Sequence, residues 1–97
     1  MLFTIRFTDN PLAFNVRKQY LDLHLEWIKQ RRNIITAAGS LREKNKDQPV
    51  GALWLVEAES EEEALTLFSD DPFWVNGLRS SVEVLSWSLA FEDMLTD

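Results

Sequence analysis

Residues 51–58, Gly-Ala-Leu-Trp-Leu-Val-Glu-Ala, are apolar on both rows of a strand alternation, with Ala52, Trp54 and Val56 on one side and Leu53 and Leu55 on the other. A strand of this kind belongs inside a sheet whose two faces are both covered. The chain has 97 residues, so one domain is expected, over residues 1–97, with little material to cover a sheet twice. What the remaining segments can cover therefore decides the architecture.

The first strand is expected over residues 2–8. Phe3, Ile5 and Phe7 alternate with Thr4, Arg6 and Thr8, which is a half-buried pattern. Asp9-Asn10-Pro11 supplies turn chemistry. A helix follows from about Ala13 to about Arg32. Tyr20, Leu21, His24, Leu25, Trp27 and Ile28 recur at helical spacing on its inner side, with Lys18, Asp22, Glu26, Lys29 and Arg32 opposite. Residues 34–41 (IITAAGSL) read as a second strand, and its small residues permit close approach. The charged stretch Arg42 to Pro49 reads as a loop.

Ser60, with Glu63 three residues on, forms a capping box at the start of a second helix. Asp71-Pro72 starts a further short helical turn, which Gly77 ends. Ser81 to Phe91 reads as the last strand, with Leu85, Trp87, Leu89 and Phe91 on one row and Val82 and Val84 on the other. The order is βαββαβ. An α+β, ferredoxin-like domain follows, with a four-stranded antiparallel sheet and helices on one face. The second face is then left apolar, and a homodimer paired sheet to sheet is expected to cover it.

Composition excludes several classes of function. There is no cysteine and a single histidine, His24, so disulfide scaffolds, zinc ribbons and cysteine nucleophiles are ruled out. Absent cysteine is compatible with the cytoplasm, which is the expected location. No stretch approaches the roughly 20 apolar residues of a membrane span, and MLFTIRFTDN lacks the layout of a signal peptide. The net charge of −6 is split: residues 1–50 hold 9 Lys/Arg against 5 Asp/Glu, and residues 51–97 hold 1 against 11. An acidic half of that strength argues against nucleic acid as a partner.

His24 carries the one side chain whose unperturbed titration lies near neutrality. On periodicity alone it reads more readily as a core or boundary histidine satisfied by a backbone carbonyl than as a functional group. Asp71 reads as the cap of the turn begun by Pro72. Its other reading is a carboxylate that orients His24 for proton transfer, with Asp70 as the neighbouring competitor. Arg17 lies two turns before His24 on the same face, either to hold an anionic ligand or to snorkel at the surface. Gly39 and Ser40 offer close backbone approach and a hydroxyl. Phe73, Trp54, Trp74 and Trp87 read as core or as pocket lining. There is no Gly-rich phosphate loop and no metal-ligand cluster, and neither a metal nor a cofactor is expected.

These segments in this order, MLFTIRFTDNP, Arg17 and His24-Leu25, AAGSL, GALWLVEAESEEEA, DDPFWVNGL and VEVLSWSL, resemble the YCII-related (YciI-like) proteins along essentially the whole chain. The resemblance implies a dimeric α+β barrel with a His–Asp pair in a cleft, which falls on His24 and Asp71. The family usually has Gly-Pro where this chain has Gly39-Ser40, a change that places a hydroxyl on the pocket wall. Two functional readings follow. One is a cofactor-free lyase or isomerase acting on a small organic molecule, with His24 and Asp71 catalytic and Arg17, Gly39, Ser40 and Phe73 shaping the pocket. The other is a non-catalytic small-molecule-binding or accessory protein using the same cleft.

Overall fold

The computed structural model describes residues 1–95, so residues 96 and 97 of the expected domain lie outside the described residues. The elements run β1 (Leu2–Asp9), α1 (Phe14–Lys29), β2 (Ile35–Leu41), β3 (Gly51–Glu57), α2 (Glu61–Leu67), α3 (Pro72–Val75) and β4 (Arg79–Ser86). The four strands form one antiparallel sheet in the order β2-β3-β1-β4. This is the expected α+β, ferredoxin-like arrangement, and the strand with two apolar rows is interior.

One row of the sheet builds the core. Phe3, Ile5 and Phe7 on β1 oppose Val56, Trp54 and Ala52 on β3, and all six are buried with Trp27 of α1 and with Ala64 and Phe68. Phe7 meets Trp54 and Phe68 edge to face, at centroid distances of 4.7 and 5.1 Å, a favoured aromatic geometry. On the opposite face Leu55 is buried, but Leu53 and Leu85 stand exposed. Among the described residues no helix is long and apolar enough to cross a membrane.

The last strand and the first helix differ from the sequence expectation, the strand beginning at Arg79 rather than Ser81. The last strand ends at Ser86 rather than Phe91. Its partner β1 begins at Leu2, and the Trp87 amide donating to the Leu2 carbonyl is the final rung (2.9 Å). Leu89 and Phe91 continue the alternation, yet β1 extends no further to pair with them, and residues 92–95 form a 3-10 turn instead. The first helix is shorter than residues 13–32. Asn10 caps a 3-10 turn over Pro11–Ala13 before it, and turns over residues 30–33 follow it.

Gly51 lies close against the β1 backbone. A Cβ there would collide with the backbone carbonyl of Phe7, which cannot move without parting the strands. Gly51→Ala is therefore expected to destabilise the fold by about 1–3 kcal/mol, read as a lowered urea midpoint. Gly39→Ala, whose Cβ would meet nothing within 4 Å, serves as the control. Equal midpoints for the two variants would contradict the packing described.

Candidate active site

The inner side of α1 does not lie wholly on the sheet. Only His24 and Trp27 are buried on this helix, whereas Leu21 and Leu25, expected in the core, are 39% and 52% exposed. The reason lies in β2, the edge strand, where Thr36, Ala37, Ala38, Gly39 and Ser40 are too small to reach the helix and remain exposed. A cavity of about 130 Å³ opens in the gap. Arg17, His24 and Leu25 line it from α1, Ala38, Gly39 and Ser40 from β2, and Trp54 from β3.

His24 and Asp71 meet across this fold. His24 Nδ1 lies 2.7 Å from Asp71 Oδ1, both side chains buried. Oδ1 also accepts the Phe73 backbone N–H at 3.1 Å, capping α3. The cap and the dyad are thus one arrangement. Pro72 starts the turn, the cap holds the carboxylate, and the same oxygen faces the imidazole. Because a carboxylate only accepts, the hydrogen-bond network assigns the proton to Nδ1 and leaves Nε2 as the basic nitrogen of the neutral ring. Among the described residues Asp71 Oδ2 is buried without a partner. The adjacent carboxylate is committed elsewhere: Asp70 accepts from Trp27 Nε1 at 3.0 Å and from Arg31 at 3.3 Å.

Phe73 does not line the cavity. It is fully buried and stacks on the imidazole, with ring centroids 3.9 Å apart and planes 15° apart. That position makes it a support of His24 instead of a pocket wall. Ser40 lines the cavity, and its Oγ accepts from Arg42 at 2.6 Å.

Arg17 neither snorkels nor stands alone. Its guanidinium reaches Asp9 Oδ2 at 2.6 Å, while Arg79 reaches Asp9 Oδ1 at the same distance, 2.6 Å. Arg79, which also lines the cavity, is the functional candidate that the sequence reading missed. It is the sole Lys/Arg of residues 51–97 and its side chain is only 1% exposed. Burial pulls its pKa below the usual guanidinium value, against the opposing pull of Asp9. An arginine stays charged nonetheless.

A larger cavity, about 450 Å³, lies between the turn after β1 and the loop before β3, bordered by Pro11, Phe14 and Lys46. Asp9, which also borders it, separates it from the dyad's cleft, and it holds no histidine. Among the described residues no group of three or more His, Cys, Asp or Glu side chains is gathered to hold a metal ion.

A family model for the YCII-related domain matches residues 1–88. No match was found among curated proteins. Among solved structures, the chain is similar to the 5-chloro-2-hydroxyhydroquinone dehydrochlorinase TftG of Burkholderia phenoliruptrix AC1100, in complex with 2,5-dihydroxybenzoquinone. The two share 28% identity over 91% of this chain and 94% of that one, with a TM-score of 0.80. An antibiotic biosynthesis monooxygenase shares 15% identity over 92% and 98% of the two chains at a TM-score of 0.53. The protein NE2512 of Nitrosomonas europaea shares 15% over 93% and 90% at 0.54. The last two likenesses concern the fold alone.

Proposed function

The chain belongs to the YCII-related domain family, and from that premise we propose that it is a cofactor-free lyase or isomerase that moves a proton on a small organic molecule. The observation that carries this reading is the 2.7 Å His24–Asp71 pair on the wall of a cavity. On a chlorinated hydroxyquinol, His24 Nε2 takes a proton from a ring hydroxyl, whose electron pair forms a C=O bond, and the imidazolium returns that proton to the chlorine-bearing carbon. His24 then takes the proton of a second hydroxyl; that electron pair moves through the ring to form the new π bonds, and chloride departs with its bonding pair. Asp71 holds the tautomer and stabilises the imidazolium. The likeness to a dehydrochlorinase supports elimination as the first reaction to test.

Magnitude narrows the substrate. One positioned acid or base contributes about 10²–10⁴-fold, enough for an activated C–H bond and not for amide or phosphate hydrolysis. A cavity of about 130 Å³ is close to the roughly 150 Å³ that accommodates benzene in an engineered protein core, so a single ring fits it. Ser40 and the Gly39 backbone complete the wall, Phe73 steadies the base, and Arg17 contacts the ligand. The working unit on this proposal is a cytoplasmic homodimer joined through the open sheet faces.

The test is chloride release from 5-chloro-2-hydroxyhydroquinone and related chlorinated hydroxyquinols, with binding of 2,5-dihydroxybenzoquinone measured in parallel. His24→Asn is the informative variant, because its amide nitrogen still donates to Asp71 while the base is gone. Turnover by the unaltered protein that falls at least 10²-fold in His24→Asn, with binding retained, is the expected result. Binding without turnover across the panel would instead make the cleft a non-catalytic binding site.

A further inference from the structure

Asp70 takes no part in the turn chemistry around it. The cap of α3 belongs to Asp71, and among the described residues the Asp70 carboxylate meets only side chains from the end of the first helix. Its Oδ1 accepts from Trp27 Nε1 at 3.0 Å, and its Oδ2 accepts from Arg31 Nη2 at 3.3 Å. Arg31 also donates to the Trp27 carbonyl at 3.0 Å and lays its guanidinium over the indole, with Cζ 4.2 Å from the ring centroid. Asp70, Trp27 and Arg31 thus close a ring of contacts. The ion pair in it is 26% and 68% exposed and contributes little by itself. The indole is different: Trp27 is buried, and the N–H is its one polar side-chain group, which needs an acceptor.

Spacing gives the contact a use. Asp70 and Asp71 are consecutive, and His24 and Trp27 are three residues apart on α1. Two neighbouring carboxylates therefore grip the helix at two points, one through the 2.7 Å dyad contact and one through the indole. The α3 cap fixes the Asp71 carboxylate relative to its own turn, not relative to α1. One hydrogen bond between two elements leaves a pivot. A second, about 4.5 Å further along the helix axis, removes it. Phe73 packs on the imidazole itself, so it braces the first point and not the second. Trp27 also passes the constraint to the cavity. Its ring lies 5.7 Å from that of Trp54, a cavity wall whose own ring is 6.2 Å from the imidazole.

We infer that Asp70 is a positioning residue for the dyad: its bond to Trp27, closed by Arg31, holds α1 and the turn before α3 in the alignment that keeps His24 Nδ1 on Asp71. Asp70 does not line the cavity and acts through its two neighbours, Trp27 across the gap and Asp71 along the chain. Misalignment of a catalytic pair costs rate steeply even when its cause lies away from the reacting atoms. The kinetic consequence rests on the reading of His24 and Asp71 as proton-transfer machinery, but the alignment is measured without turnover and can fail separately.

Asp70→Ala, Asp70→Asn and Trp27→Phe in the full chain test it. The ring nitrogen shifts of neutral His24 in NMR report which nitrogen carries the proton. Chloride release from 5-chloro-2-hydroxyhydroquinone gives kcat and KM. The unaltered chain is expected to hold the Nδ1–H tautomer alone, and Asp70→Ala to show both tautomers, with kcat down about tenfold and KM unchanged. Asp70→Asn keeps an oxygen for Trp27 Nε1 and is expected to restore the single tautomer and most of kcat. Trp27→Phe keeps a ring and lacks the N–H; it is expected to match Asp70→Ala, and it carries the test if that variant does not fold. A contact that only adds stability would lower the urea midpoint in Asp70→Ala and Trp27→Phe and leave tautomer and kcat as they were. That result, or an Asp70→Asn as impaired as Asp70→Ala, overturns the proposal. An unaltered chain without turnover would overturn the catalytic reading, and the tautomer shift would still decide this one.

Discussion

Asp71→Asn is expected to fold, to bind ligand and to lose about 10²-fold or more of its turnover. The geometry separates these effects. Asp71 Oδ1 accepts two hydrogen bonds, from His24 Nδ1 and from the Phe73 amide. An asparagine oxygen placed there accepts both, so the cap and the histidine tautomer persist. Turning the amide round would aim its NH2 at two donors, which fixes the orientation. The NH2 then replaces Oδ2, an atom already buried without a partner, and burying a neutral amide is easier than burying a charge. Only the negative charge that stabilises the imidazolium disappears. Asp71→Ala behaves differently. It removes the cap, at about 1 kcal/mol, and strands a buried Nδ1–H donor, at a further 1–3 kcal/mol or about that. Urea unfolding of the two variants beside their kcat/KM values checks both halves. Undiminished turnover in Asp71→Asn would reduce the dyad to a structural feature.

The readable parts of this chain are those set by neighbours in sequence. Alternation located β1, the two apolar rows of residues 51–57 placed β3 inside the sheet, and Ser60 caps α2 through the Glu63 amide at 3.1 Å. Asp71 could be singled out because Pro72 follows it. The parts that stayed hidden depend on distant segments. The end of β4 is set by where β1 begins, and Leu21 and Leu25 are exposed because a strand of small residues stops short of them. Asp9 looked like turn chemistry, and Arg79 belonged to no motif. Their ion pair joins positions 70 residues apart, which no local pattern records. The one available signal was composition: a lone cation in a strongly acidic half invites the question of what it neutralises.

Leu53→Asp is expected to turn a dimer into a folded monomer. The sheet face away from the helices presents Leu53 at 44%, Leu85 at 56% and Trp87 at 44% exposure. Leu55, on the same face, is buried to 7%, in a depression that Trp87 and Leu95 border. Leu95 of the chain's own final turn thus borders the middle of the face, and the flanks stay in water. A second copy, related by a two-fold axis, is the occupant proposed for those flanks, and a stable contact needs about 800 Å² from each partner. Within one chain an aspartate at position 53 costs little, because the side chain there is half solvated. Across a two-fold contact the same substitution buries two carboxylates with no partners, a penalty of several kcal/mol. Leu23→Asp, at 59% exposure on α1, provides the comparison and is expected to leave assembly unchanged. Sedimentation velocity at micromolar concentration reads the outcome. An unaltered chain that sediments as a monomer removes the sheet-to-sheet dimer, and a Leu53→Asp variant that still sediments as a dimer moves the interface to another face.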